Sequence, residues 1–129
     1  MMTLFEMAKE YQTRAYAPYS NFRVGAAVLA DDGKMYGGCN IETASFGGTI
    51  CAERVAMTKA ISEGATKMKQ SAVLGDADYT YPCGICRQFM TEFSDDLIVH
   101  IIGPDDVRSY HLDELLPFAF TSEEMKHEL

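Results

Sequence analysis

Cys83 and Cys86 form a Cys-x-x-Cys pair within Tyr81-Pro82-Cys83-Gly84-Ile85-Cys86-Arg87. That spacing lets two thiolates share one tetrahedral Zn²⁺ ion. Cys51, in Cys51-Ala52-Glu53, can supply a third thiolate, and Glu53 follows two residues later. Three protein ligands with a carboxylate beside them describe a catalytic zinc site whose fourth position is open for water. Glu53 is then the candidate proton carrier; alone, it would be an acidic residue suited to a helix N-terminus. Cys39 leaves a second reading open, a closed structural site of four cysteines. Three thiolates outweigh the charge of one Zn²⁺, which weakens the metal as an acid for water. Arg54 and Arg87 stand where they could donate to sulfur and offset this.

These residues must be positioned by regular elements. Leu4, Met7, Ala8, Tyr11 and Ala15 recur at helical spacing, so residues 3–16 are expected to form an amphipathic helix, with Thr3 and Glu6 as a capping box. Val24 to Ala30 and Lys34 to Cys39 read as strands joined by a hairpin at Asp32-Gly33. Asn40 to Ile50 is a long loop, and loops of that length are usually functional. Cys51 to Glu63 has helical spacing, with Gly64 as its stop signal. A short strand is expected from Gln70 to Gly75, a helix from Gly84 to Phe93 and a strand from Leu97 to Ile102. Arg108 to His111 suits an edge strand, Leu112 to Leu116 a short helix ended by Pro117, and Ser122 to His127 one more turn. Cys51 and Cys83 thus begin helices, whose N-terminal partial positive charge favours thiolate. Alternation of strands and helices after a hairpin favours one α/β sheet covered on both faces.

The chain of 129 residues suits one domain, and 47% apolar with 23% charged residues is an ordinary globular balance. A net charge of −8 and scattered Lys and Arg argue against a polyanionic partner, so no nucleic acid polymer is expected. A small neutral substrate fits better. Glu6 and Glu10 interrupt any apolar leader, and no run approaches the ~20 apolar residues of a membrane helix. Four cysteines without a secretory signal suit a reducing compartment, so a cytoplasmic location is expected. His100, His111 and His127 are expected to be structural.

Cys-Ala-Glu followed by Pro-Cys-x-x-Cys resembles the signature of zinc-dependent nucleoside and nucleobase deaminases. Tyr16-Ala17-Pro18-Tyr19-Ser20, Phe22-Arg23-Val24-Gly25-Ala26-Ala27, Gly38-Cys39-Asn40-Ile41-Glu42 and Leu115-Leu116-Pro117 are similar to the small, homotetrameric cytidine deaminases, in the same order. The resemblance runs from the first helix to about residue 124. It implies a single domain over residues 1–129, a three-layer α/β/α sandwich with a five-stranded mixed sheet. It implies one Zn²⁺ per subunit on Cys51, Cys83 and Cys86, with Glu53 as the acid/base. The activity implied is conversion of cytidine and deoxycytidine to their uridine counterparts, in pyrimidine salvage. Asn40 and Glu42 would hold the ribose 3′-hydroxyl, Phe22 would pack on the base and the Ala52 backbone would meet the pyrimidine edge. Phe120 would reach the site of a neighbouring subunit. Phe46 stands where the family often has Tyr, so the hydroxyl is missing. Two other readings are a deaminase for another cytosine nucleoside, such as an aminonucleoside antibiotic, and a structural zinc protein.

Overall fold

The computed structural model describes residues 1–125. Five strands, β1 (Gly25–Ala30), β2 (Met35–Cys39), β3 (Met68–Leu74), β4 (Ile98–Ile102) and β5 (Val107–His111), form one mixed sheet in the order β2-β1-β3-β4-β5. Only β3 and β4 run parallel, and the helix between them provides the crossover that parallel neighbours need. Three helices cover the sheet: α1 (Leu4–Gln12) on one face, α2 (Ala52–Ser62) and α3 (Gly84–Glu92) on the other. This is the three-layer α/β/α sandwich with a five-stranded mixed sheet.

Strand alternation decides which residues meet which layer. Ala26, Val28, Val73, Val99 and Ile101 face α2 and α3, whereas Ala27, Ala72 and Ile102 pack under Leu4 and Ala8 of α1. Ala52, Ala56 and Ala60 keep one side of α2 small, so its backbone lies close to the sheet. Gly38 of β2 makes that approach possible, since a Cβ there would lie 2.5 Å from the Ala52 carbonyl oxygen. Met57 of α2 and Met90 of α3 are fully buried and fill the space beyond the alanines. Truncating either to Ala would cost about 2–5 kcal/mol.

The expected hairpin closes on Gly33, whose φ of +81° is the left-handed conformation that glycine tolerates. Thr3 and Glu6 form the expected capping box, with bonds of 3.1 and 2.8 Å. α1 stops at Gln12 rather than 16, because Tyr16 leaves the helix to pair with the segment after β2. Its N–H donates to the Asn40 carbonyl and its carbonyl accepts from the Glu42 N–H, at 3.0 and 2.8 Å. β3 begins two residues before the expected Gln70, since Met68 pairs with Ala30. Short helices α4 (Leu112–Leu115) and α5 (Ser122–Met125) follow β5, and the expected end of the last turn at His127 lies outside the described residues.

Candidate active site

The N-termini of α2 and α3 converge beyond the ends of the sheet, and each begins on a cysteine. Cys51 is the N-cap of α2 and Cys83 that of α3. One turn into α3, Cys86 is completely buried. The Sγ atoms of Cys51, Cys83 and Cys86 all lie within 4.8 Å of one another, with Cys51 and Cys83 3.7 Å apart. The Cys86 N–H points at Cys83 Sγ from 3.5 Å, and Arg54 Nη2 lies 3.6 Å from Cys51 Sγ.

Three soft donors at one point, backed by helix N-termini and a guanidinium, fit a zinc ion. Cys39 is outside this cluster among the described residues. Its neighbour Gly38 faces α2, so Cys39 faces the other side of the sheet, and the four-cysteine reading fails on strand alternation.

Among the protein groups, hydrogen bonding from Cys86 holds the Cys51 thiol down at about 5, with Arg54 adding to the effect. The same bond, together with burial, raises Cys86. Glu53, only 4% exposed, is pushed up to about 7 by burial, and the Cys51 charge adds to this. A carboxyl that changes protonation near neutral pH beside a metal-ligand cluster is suited to carry protons.

Arg87 departs from its expected place at sulfur. Its Nε donates to the Pro82 carbonyl at 2.8 Å and its Nη1 to the Leu115 carbonyl at 2.7 Å. It therefore straps the loop before α3 to α4, because its side chain runs back along the helix toward the preceding turn.

A cavity of about 330 Å³ opens over this floor. Phe22, Asn40, Glu42, Cys51, Ala52, Glu53 and Cys83 all line it. Cys51, Glu53 and Cys83 thus share one cavity with Phe22, Asn40, Glu42 and Ala52, although they come from four separate parts of the chain. Phe120 lies elsewhere: it is 55% exposed, and its carbonyl accepts from Gln88 Nε2 at 2.7 Å.

The cavity also has walls that the sequence reading missed: Ser20, Val24, Thr49, Ile50, Thr80 and Tyr81. Tyr81 was the most accessible of these, since it stands two residues before Cys83. Its hydroxyl is fixed 2.7 Å from that of Tyr110 on β5. Ser20 carried no spacing signal.

The histidines have structural partners. His100 bonds Ser109 and Gln70 at 2.7 and 2.9 Å, and His111 bonds Asp96 at 2.9 Å. His127 lies outside the described residues.

Residues 2–102 match the family model described as the cytidine and deoxycytidylate deaminase zinc-binding region. The chain belongs to the cytidine deaminase family. A cytidine deaminase from Sporosarcina psychrophila is 41% identical over 127 residues, covering 96% of this chain and 93% of the relative. One from Halalkalibacterium halodurans is 45% identical over 125 residues, with 95% of each chain covered. The crystal structure of cytidine deaminase from Burkholderia pseudomallei superposes with a TM-score of 0.87 at 44% identity, covering 92% of this chain and all of that one. Family membership and the three-cysteine cluster together make zinc the cofactor, one ion per chain.

Asn40 and Glu42 are both nine-tenths buried, and their hydrogen bonds define what they can still accept or donate. Asn40 Oδ1 accepts from the Val24 N–H at 2.9 Å, and Nδ2 donates to the Phe22 carbonyl at 2.8 Å. Glu42 Oε1 accepts from the N–H groups of Tyr19 and Ser20 at 3.0 and 3.1 Å, and Oε2 accepts from the Ser20 hydroxyl at 2.5 Å. A carboxylate has about four acceptor sites and an amide nitrogen two donors. One acceptor site on Glu42 Oε2, one on Asn40 Oδ1 and one N–H on Asn40 Nδ2 are left over. A single hydroxyl, which both donates and accepts, can use the N–H and the Glu42 site.

Proposed function

We propose that this chain hydrolyses cytidine and deoxycytidine to uridine and deoxyuridine with release of ammonia, as one domain acting in pyrimidine salvage in the cytoplasm. The observation that carries this reading is the buried Glu53 carboxyl beside the three sulfurs, on the floor of a cavity that also presents Asn40, Glu42 and Phe22. Cys51, Cys83 and Cys86 hold the zinc, which supplies a Lewis acid that makes water acidic near neutral pH.

Glu53 takes a proton from the water that adds at C4 and delivers it to N3; it then takes the remaining proton of the C4 hydroxyl and gives it to the departing amine, so that the C4 carbonyl forms as ammonia leaves. Burial keeps each proton off bulk solvent between its acceptance and its delivery. Phe22 packs on the base, and the Ala52 backbone meets the pyrimidine edge. Asn40 and Glu42 take the 3′-hydroxyl through their remaining donor and acceptor. Arg54 moderates the charge on sulfur, while Arg87 fixes the loop that presents Cys83.

A 3′-phosphate would meet the Glu42 carboxylate, and a net charge of −8 repels polynucleotides, so the substrate is a free nucleoside. No helix among the described residues is long and apolar enough to cross a membrane. The assembly is a homotetramer in which Phe120 completes a neighbour's site. Exposed Ile85, Phe118 and Phe120 support it, because large apolar side chains left in water suit burial at an interface.

Ultraviolet absorbance of cytidine mixed with the purified protein tests the activity directly. Conversion to the uridine spectrum is expected; an unchanged spectrum with zinc-loaded protein would reject the assignment.

A further inference from the structure

We propose that Ser20 is a positioning residue for the reaction, whose hydroxyl couples sugar recognition at Glu42 to the placement of the Phe22 ring. The inference rests on the proposed roles of Glu42 at the 3′-hydroxyl and Phe22 at the base. Ser20 lines the cavity between them. Its hydroxyl donates to Glu42 Oε2 at 2.5 Å and its oxygen accepts from the Phe22 N–H at 3.0 Å. One atom thus bonds both the carboxylate and the peptide that carries the ring.

Phe22 depends on such support. Asn21, just before it, has a φ of +58°, the sparsely populated left-handed region that asparagine enters more readily than most residues. A turn through that region keeps its geometry only when its surroundings fix it. Here Ser20 holds the N–H of Phe22 and Asn40 Nδ2 holds its carbonyl, at 3.0 and 2.8 Å. Of the two peptide groups that set the ring's direction, one is therefore tied to Asn40, assigned to the sugar, and the other to Ser20, which is bonded to Glu42.

The coupling follows from the single open acceptor site on Glu42 Oε2. A sugar hydroxyl donating there shares that oxygen with the Ser20 hydroxyl. Sharing changes the Ser20 bond, and through it the hold on the Phe22 N–H. With the 3′-hydroxyl present, carboxylate, serine and ring are bound as one network; without it, the network lacks a member. Groups in one hydrogen-bond network give non-additive losses, which a cycle of substitutions can read.

The cycle uses cytidine and 3′-deoxycytidine with the wild-type enzyme, Ser20→Ala and Ser20→Thr. Zinc content and circular dichroism are measured for each. In the wild type, loss of the 3′-hydroxyl lowers kcat/KM by some factor. In Ser20→Ala that factor is expected to shrink by at least about threefold, well within the range for groups in one network. Ser20→Thr keeps a hydroxyl and should restore most of it. If Ser20→Ala does not fold or bind zinc, Ser20→Cys, with a similar volume and a weak donor, is read the same way. Equal proportional losses with both substrates, or no loss with either, would overturn the coupling while leaving the enzyme a cytidine deaminase. Failure of the zinc-loaded wild type to deaminate cytidine would overturn the parent reading instead, and this inference with it.

Discussion

Ile41 and Ile50 exchange two backbone hydrogen bonds, 3.0 and 2.9 Å long. This single bridge closes the loop between them, so the long segment read as irregular has a fixed base. It also sets Asn40 and Glu42 on one side of the junction and Cys51 on the other. Residues eleven apart in sequence, such as Glu42 and Glu53, consequently line the same cavity. The Asn40–Glu42 segment and Cys51 are held in register by two backbone hydrogen bonds.

Metal content separates the two readings of the cysteines. Cys39→Ala should retain one zinc per chain and full activity, because Cys39 faces away from α2. Cys51→Ser, Cys83→Ser and Cys86→Ser should each lose zinc. Elemental analysis of purified variants is the measurement. Zinc lost from Cys39→Ala would mean that a fourth sulfur is needed after all.

Glu53→Gln keeps size and removes the proposed proton carrier. The variant should fold and bind zinc, with kcat reduced by about 10²- to 10⁴-fold, the usual contribution of general acid–base catalysis. Steady-state turnover near the wild-type value would remove Glu53 from the proton path.

The shape of the site was legible where chemistry is local, and less so where it is not. Cys-x-x-Cys spacing and the Cys51-Ala52-Glu53 triplet identify the metal cluster and its carboxyl, because neighbours on one helix turn stay neighbours in space. The order of strands and helices was legible from periodicity. The end of α1 was not, since Ala15 fits the apolar stripe and only a partner from residues 40–42 pulls Tyr16 out of it. Arg87 was misread for the same reason: its carbonyl partner on Leu115 is 28 residues away. The orientation of Cys39 depends on which face of β2 meets α2, which pairing decides rather than spacing.

Glu42 should leave a signature in the pH dependence of stability. The Ser20 hydroxyl, then the Ser20 and Tyr19 N–H groups, hold its carboxyl below the ordinary value of 4.5. A depressed folded pKa stabilises the protein above the unfolded value and loses that contribution as pH falls through the folded one. Wild type should therefore melt above Glu42→Gln at pH 7, with the gap narrowing only below about pH 4.5. Acid also protonates metal-binding thiolates in both proteins, so the difference in Tm is the quantity to follow. A gap that stays constant down to pH 3 would contradict the linkage.

The proposed sharing of sites between subunits is tested by complementation. Phe120→Ala should lose activity while retaining its own zinc and Glu53; Glu53→Ala should be inactive yet still present Phe120. In the proposed tetramer, co-expression would give mixed assemblies in which some sites draw Glu53 from one chain and Phe120 from the next. Activity above the sum of the parents is expected, with size-exclusion chromatography confirming assembly. Mixed tetramers with only the summed activity would show that Phe120 does not act in trans.

Gly38 is itself assigned no contact with substrate, yet a methyl group there would collide with the Ala52 carbonyl oxygen and the Ala56 nitrogen, both 2.5 Å away. These are backbone atoms of the helix that starts on Cys51 and carries Glu53. The helix would have to lift off the sheet, taking Cys51 and Glu53 with it while α3 kept the other two sulfurs in place. In a comprehensive mutational scan scored by turnover, this inert residue would rank beside Glu53, so intolerance to substitution in this enzyme is a map of leverage as much as of chemistry.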